Sequence, residues 1–153
     1  LTVFGRGPLR PYCEKLAQEL GVDKYVTWKG FVDRSLVCKA YMEHDVFVLP
    51  TLKEPAPSVV IEAMAARLPV ICVDAGGPAY SVESNCGIKI GLADRRTMVT
   101  DLAHAIEFMI THPDERVAMG YQARRRVQEH FTWDVVVGRV LEIYDEVARQ
   151  TAK

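Results

Sequence analysis

The sequence predicts an α/β fold with a parallel, doubly wound sheet, and three observations carry that expectation. Short apolar runs alternate with longer amphipathic stretches from Leu1 to Ile90, the β-α-β-α order that places helices on both faces of a parallel sheet. Val70-Ile71-Cys72-Val73 is apolar at every position and Asp45–Leu49 nearly so, as strands covered on both faces are. Glycine and proline gather after the strands, at Gly5–Pro8, Gly30–Arg34, Thr51–Pro57, Asp74–Pro78 and Gly91. In such folds that edge brings backbone close to a ligand.

Leu1–Phe4 reads as the first strand. Leu9, Tyr12, Cys13, Leu16, Ala17 and Leu20 then recur at helical spacing, and Gly21 stops the helix. Tyr25–Trp28 is the second strand, ending at Gly30. Leu36, Val37, Ala40 and Tyr41 mark the second helix, with Asp33 or Ser35 as its N-cap. Asp45–Leu49 is the third strand. Pro57 opens a third helix through Arg67, because the fixed φ of proline suits a first helical position. Val70–Val73 is the fourth strand and Gly87–Ile90 a weaker fifth. There the alternation stops. Met98, Val99, Leu102, Ile106, Met109 and Ile110 form one helical face ended by Pro113. Helices from about Asp114 to His130 and from about Thr132 to Gln150 follow.

Composition bounds the function. The 153 residues carry a net charge of −1, with 49% apolar and 25% charged residues, which fits one globular domain with its own core. That balance excludes a strongly basic nucleic-acid binder. The longest apolar runs, Val46–Leu49 and Pro69–Val73, are far short of the roughly 20 residues of a membrane span. The start has no basic region or long apolar stretch, so it is not expected to be a signal peptide, and without an initiating Met the chain is expected to be cut from something longer. Cys13, Cys38, Cys72 and Cys86 form no C-x-x-C pair and read as reduced core residues of a cytoplasmic protein. His44, His104, His112 and His130 form no ligating pattern, so no metal is expected. Gly5-Arg6-Gly7 is followed by Arg10 where a dinucleotide fingerprint needs its third glycine, which argues against a nicotinamide cofactor. Arg124-Arg125-Arg126 reads as a solvated basic face.

The most informative segment runs from Pro50 to Ala66. Glu54 lies in the loop after a buried strand. Glu62 follows in the second turn of the next helix, on the face of Ser58 by i, i+4 spacing. Val60, Ala63, Met64 and Leu68 fall on another face, the core side. Glu62 therefore points away from the core near a helix start, where the N–H groups of Ala56, Ser58 and Val59 are open to an anion. A phosphate on those groups, with a carboxylate one turn away for a ribose diol, makes a coherent nucleotide site. The plainer alternative is a solvated glutamate pair on a surface helix.

In order, the sequence shows Glu54…Glu62-Ala63-Met64-Ala65, Leu68-Pro69-Val70-Ile71 and Gly76-Gly77-Pro78. It also shows Gly5-x-Gly7-Pro8, Val26-x-x-x-Gly30-x-Val32, Asp45–Pro50 and Phe131-Thr132-Trp133. Together these resemble, essentially end to end, the C-terminal donor-binding domain of retaining GT-B glycosyltransferases of group 1, the glycogen synthase-like proteins with a Glu-x7-Glu signature. The resemblance implies a Rossmann-like domain spanning 1–153. It implies sugar transfer from a nucleoside-diphosphate sugar to a glycan, lipid or small molecule, with retention and without metal. Glu54 would contact the donor sugar at the reacting centre, and Glu62 the ribose. Ala56, Pro57, Ser58 and Val59 would hold the diphosphate, and Phe31, Val32 and Arg34 the base. Gly5, Gly7, Gly76 and Gly77 would line the donor.

Three departures from the family pattern stand out. Pro57 and Arg67 replace glycines, and Tyr80 replaces a glutamate. Arg67 is thus expected at a left-handed helix end. The family's first strand, with basic residues for the diphosphate, and the acceptor domain are expected to lie before Leu1. The chain alone is then expected to be inactive, with its partner the missing N-terminal domain and any contact with the inner membrane face made only through that half. Without the first strand, the strands here are expected either to close in the order 2-1-3-4-5 or to leave a slot filled by another strand. The rival function is a non-catalytic or degenerate α/β module that binds a nucleotide or a protein.

Overall fold

The computed structural model describes residues 1–151. The chain forms two compact units, Leu1–Ala40 and the remainder from Tyr41 on. The first contains β1 (Thr2–Phe4), α1 (Arg10–Glu19) and β2 (Thr27–Gly30), and the division falls within α2 (Arg34–Glu43). The second contains β3 (Phe47–Leu49), α3 (Ser58–Ala65), β4 (Val70–Val73), α4 (Gly76–Ser81), β5 (Gly87–Ile90), α5 (Arg95–Thr111), α6 (Pro113–His130) and α7 (Trp133–Thr151).

The predicted α/β class holds, and every strand pairing is parallel. The strands fall into two hydrogen-bonded sheets, β1-β2 and β3-β4-β5. Within each sheet the neighbours are those of the expected order 2-1-3-4-5. In the first unit, β1 and β2 pair from Thr2↔Thr27 to Phe4↔Gly30, with a register shift between Val3 and Phe4. Gly30 takes φ 68° there, a conformation open to glycine at little cost. The second strand begins later than its sequence suggests, because Asp23–Tyr25 winds into a 3-10 turn.

The core of the second unit is built around β4, whose four residues are all fully buried. Alternate side chains of a strand point to opposite faces. Val70 and Cys72 accordingly join a cluster with Val60, Met64, Ala123 and Val127 from α3 and α6. Ile71 and Val73 join Ile90, Ala105 and Met109, with α5 on the other face. A strand covered on both sides must be apolar throughout, which is why its limits were readable.

Burial also sorts the cysteines. Cys72 and Cys86 are buried as expected, and burial pushes the Cys72 thiol up to about 11 and raises that of Cys86. Cys38 departs from expectation: it is exposed, on the side of α2 away from its apolar stripe, and Cys13 is half-buried.

The end of α3 has the expected strain. Arg67 is the one non-glycine residue with positive φ among the described residues, at 66°. The Leu68 N–H reaches the Ala63 carbonyl and the Arg67 N–H that of Met64, both at 3.0 Å. That is the paired bonding of a Schellman end. The helix closes at Ala65, two residues before the expected limit. The Arg67 guanidinium lies 4.9 Å from the centre of the Tyr121 ring. Relief of left-handed strain is worth about 1 kcal/mol, and an exposed cation–π contact about half of that. Arg67→Gly should therefore raise stability by about 0.5 kcal/mol, and by about 1 kcal/mol in a Tyr121→Ala background. Urea unfolding of the four proteins checks both values, and a loss of stability in both backgrounds would contradict them.

Candidate functional site

The site in the second unit is assembled where β3 and β4 run out. After β3 the chain passes through exposed Glu54 to Pro57, which is buried and stands as N-cap of α3 with φ −75° and ψ 102°. Pro57 was expected one position later in the helix, at N1. As N-cap it contributes no N–H, and its carbonyl accepts from the Val60 N–H at 3.1 Å. The helix start leaves the N–H groups of Ser58 and Val59 without intrahelical acceptors. Both residues, and Ala56 before them, are exposed.

Glu62 sits one turn further on, half-buried. Val60, Ala63 and Met64 of the same helix are wholly buried, so the core face and the Glu62 face are distinct, as the spacing required. The Tyr41 hydroxyl, itself buried, lies 3.5 Å from Glu62 Oε2 and 3.5 Å from the Val59 carbonyl oxygen. The Tyr41 ring is fixed edge-on against Phe47 at 5.8 Å. The carboxylate therefore has a support reaching back to β3. The sequence marks Tyr41 as a helix-face residue and as a family match before the third strand, without tying it to Glu62. Its contact with Glu62 joins positions 21 apart in sequence, and no local pattern reports such a pairing.

Gly76 and Gly77 meet the Glu54 loop through backbone. The Gly77 N–H donates to the Glu54 carbonyl oxygen at 3.0 Å. A Cβ on Gly76, whose φ is 59°, would lie 2.8 Å from the same oxygen, and one on Gly77 would overlap the Pro55 carbonyl. Only glycine permits this approach, so the pair predicted as donor-lining also fixes the loop that carries Glu54. Beside them Asp74 and Lys89 form an ion pair at 3.1 Å. Gly76–Ser81, read from the sequence as a turn, is the short helix α4.

The predicted residues of the first unit form a group of their own. Gly5 donates its N–H to the Gly30 carbonyl oxygen at 2.8 Å. Phe31, directly after β2, is 72% exposed, with the Arg6 guanidinium 5.4 Å from its ring centre. Gly7 lies in the loop after β1, Val32 in the loop after β2, and Arg34 is the first residue of α2. Among the described residues, no group of three or more His, Cys, Asp or Glu is placed to hold a metal ion, and no helix is long and apolar enough to cross a membrane.

The second unit thus carries one carboxylate propped beside a helix start and another on a glycine-locked loop. Residues 1–126 match the family described as Glycosyl transferases group 1. The chain belongs to that family. Among the proteins similar to it is the GDP-mannose-dependent alpha-(1-6)-phosphatidylinositol monomannoside mannosyltransferase of Mycobacterium tuberculosis. It is 30% identical over 158 aligned positions that take in 97% of this chain and 40% of that protein. An uncharacterized glycosyltransferase of Methanocaldococcus jannaschii is 28% identical over 94% of the chain and 36% of its own length. Among solved structures, sucrose-phosphate synthase from Thermosynechococcus elongatus superposes with a TM-score of 0.80 at 28% identity, covering 98% of the chain and 39% of that protein. The Anabaena protein HepE, solved in complex with UDP, matches in fold with a TM-score of 0.78 at 20% identity, over 95% of this chain and 40% of its own. This group 1 chain thus spans about two fifths of the length of the proteins it matches.

Proposed function

We propose that the chain is the donor-binding half of a retaining glycosyltransferase that takes a nucleoside-diphosphate sugar. The observation that carries this is the second unit's α3: an open helix start, with Glu62 one turn along and supported by Tyr41. Glu62 accepts from ribose hydroxyls. The Ser58 and Val59 N–H groups, with the positive end of the helix dipole, face the diphosphate. Glu54 meets the donor sugar. When the bond between the anomeric carbon and the phosphate oxygen breaks, the electron pair stays on that oxygen, the acceptor oxygen bonds the same face of the sugar, and the acceptor's hydroxyl proton passes to the leaving phosphate oxygen. Fixed N–H dipoles stabilise the charge on the leaving diphosphate without a bound cation. The family membership supports this reading, as do a mycobacterial relative named for GDP-mannose and a structural neighbour solved with UDP. We place the acceptor on the part of such relatives that this chain does not span, and the protein in the cytoplasm.

The test is a titration of the chain with UDP and GDP followed by NMR. One of them should shift the amides of Ala56, Ser58, Val59 and Glu62, while the Phe31–Arg34 amides report separately on base contact. Glu62→Ala should weaken binding by about 1.5–3 kcal/mol, the scale of hydrogen bonds to a charged group. Shifts confined to other surfaces, or an unaffected Glu62→Ala variant, would favour a non-catalytic module.

A further inference from the structure

The Arg124-Arg125-Arg126 run was expected to be a solvated face, and for Arg125, an exposed partner of Glu129 at 2.7 Å, it is. Arg126 is different. Its side chain is only 15% exposed. It donates through Nε to the Ser81 carbonyl oxygen at 2.8 Å and through Nη2 to that of Tyr80 at 3.1 Å, and it pairs with the Glu83 carboxylate through Nη1. Its guanidinium also lies 5.6 Å from the centre of the Phe131 ring. Tyr80 and Ser81 are the last two residues of α4. The carbonyl before them, Ala79, receives Lys89 Nζ at 3.4 Å. The last three carbonyls of α4, which have no partners within the helix, therefore all meet cations.

The other end of α4 is Gly76-Gly77, which holds the Glu54 carbonyl. α4 has six residues, two of them glycine and one proline, so its own helix propensity is very poor. It persists because it is held at both ends. A short, weak element pinned at one end transmits a loss of that pin to the other end.

Resting on the donor-site reading above, we propose that Arg126 is a positioning residue for the Glu54 loop: it pins the C-terminal end of α4 so that Gly77 can hold Glu54 at the donor sugar. Arg126 touches neither nucleotide nor sugar and acts only through α4.

Amide hydrogen exchange on the ligand-free chain, followed by titration with UDP, GDP, UDP-glucose and GDP-mannose, tests this. Arg126→Gln should speed exchange at Gly77 about tenfold or more, leaving Ile71 and Cys72 in β4 unchanged. For whichever nucleotide the unaltered chain binds, it should weaken the sugar conjugate about tenfold while moving the diphosphate itself less than twofold. Arg126→Lys, which keeps a cation for one carbonyl, should fall between, and this milder variant carries the test where the glutamine variant fails to fold. Arg125→Gln should change neither quantity. Unchanged protection at Gly77, or equal loss of protection at Gly77 and along β4, would overturn the proposal. If the unaltered chain binds no nucleotide, the donor-site reading fails and this role falls with it. That failure is distinguishable, because Gly77 protection is read without ligand.

Discussion

Gly120→Ala should lower the stability of the second unit by about 3 kcal/mol, although alanine is the better helix former by about 1 kcal/mol. Gly120 is buried in α6, and a Cβ there would overlap the Arg67 carbonyl oxygen and approach the Pro69 ring at 3.5 Å. The first obstacle is backbone, held by the paired hydrogen bonds that end α3, and cannot swing aside as a side chain would. Overpacking therefore outweighs propensity. Gly138 in α7 is the control, because a Cβ there meets nothing within 4 Å. Gly138→Ala should stabilise by about 0.5–1 kcal/mol. Urea denaturation of both variants checks the pair, and equal effects of the same sign would refute the packing account.

Met64→Ala should cost about 2–5 kcal/mol, the range for deleting a large buried side chain and leaving a partly unfilled space. Met64 has no exposed surface and lies in the cluster that joins α3 to β4 and α6. Met64→Leu, which roughly conserves volume, should cost under about 1.5 kcal/mol. Chemical denaturation separates the two, and similar losses for both would mean that shape rather than volume limits this site.

How much of this was legible in the sequence depended on whether the cause was local. β4 and β5 were bounded correctly because burial on both faces, and glycine where backbones approach, are written into consecutive residues. Glu62 was placed correctly because helical spacing separates it from Val60, Ala63 and Met64. Arg67 was legible as a strained helix end from the proline two residues later and the family's glycine. α4 was not legible, since glycine, glycine and proline argue for a turn, and the cations that meet its last carbonyls come from other elements, Lys89 in β5 and Arg126 in α6. Cys38 was misplaced because an apolar neighbour pattern fixes a helix face only to within a residue or so. The Tyr41 support of Glu62 and the grip of Gly77 on Glu54 are likewise long-range; the glycine pair was visible, but not which backbone it approaches.

The alternation of β4 between two clusters has a thermodynamic consequence. Val70 and Cys72 belong to one cluster and Ile71 and Val73 to the other, so neither can melt while the strand between them stays in place. The two sides of the sheet are one cooperative block. Heating should dissolve them in a single transition with matching calorimetric and van't Hoff enthalpies, whichever side a substitution has weakened.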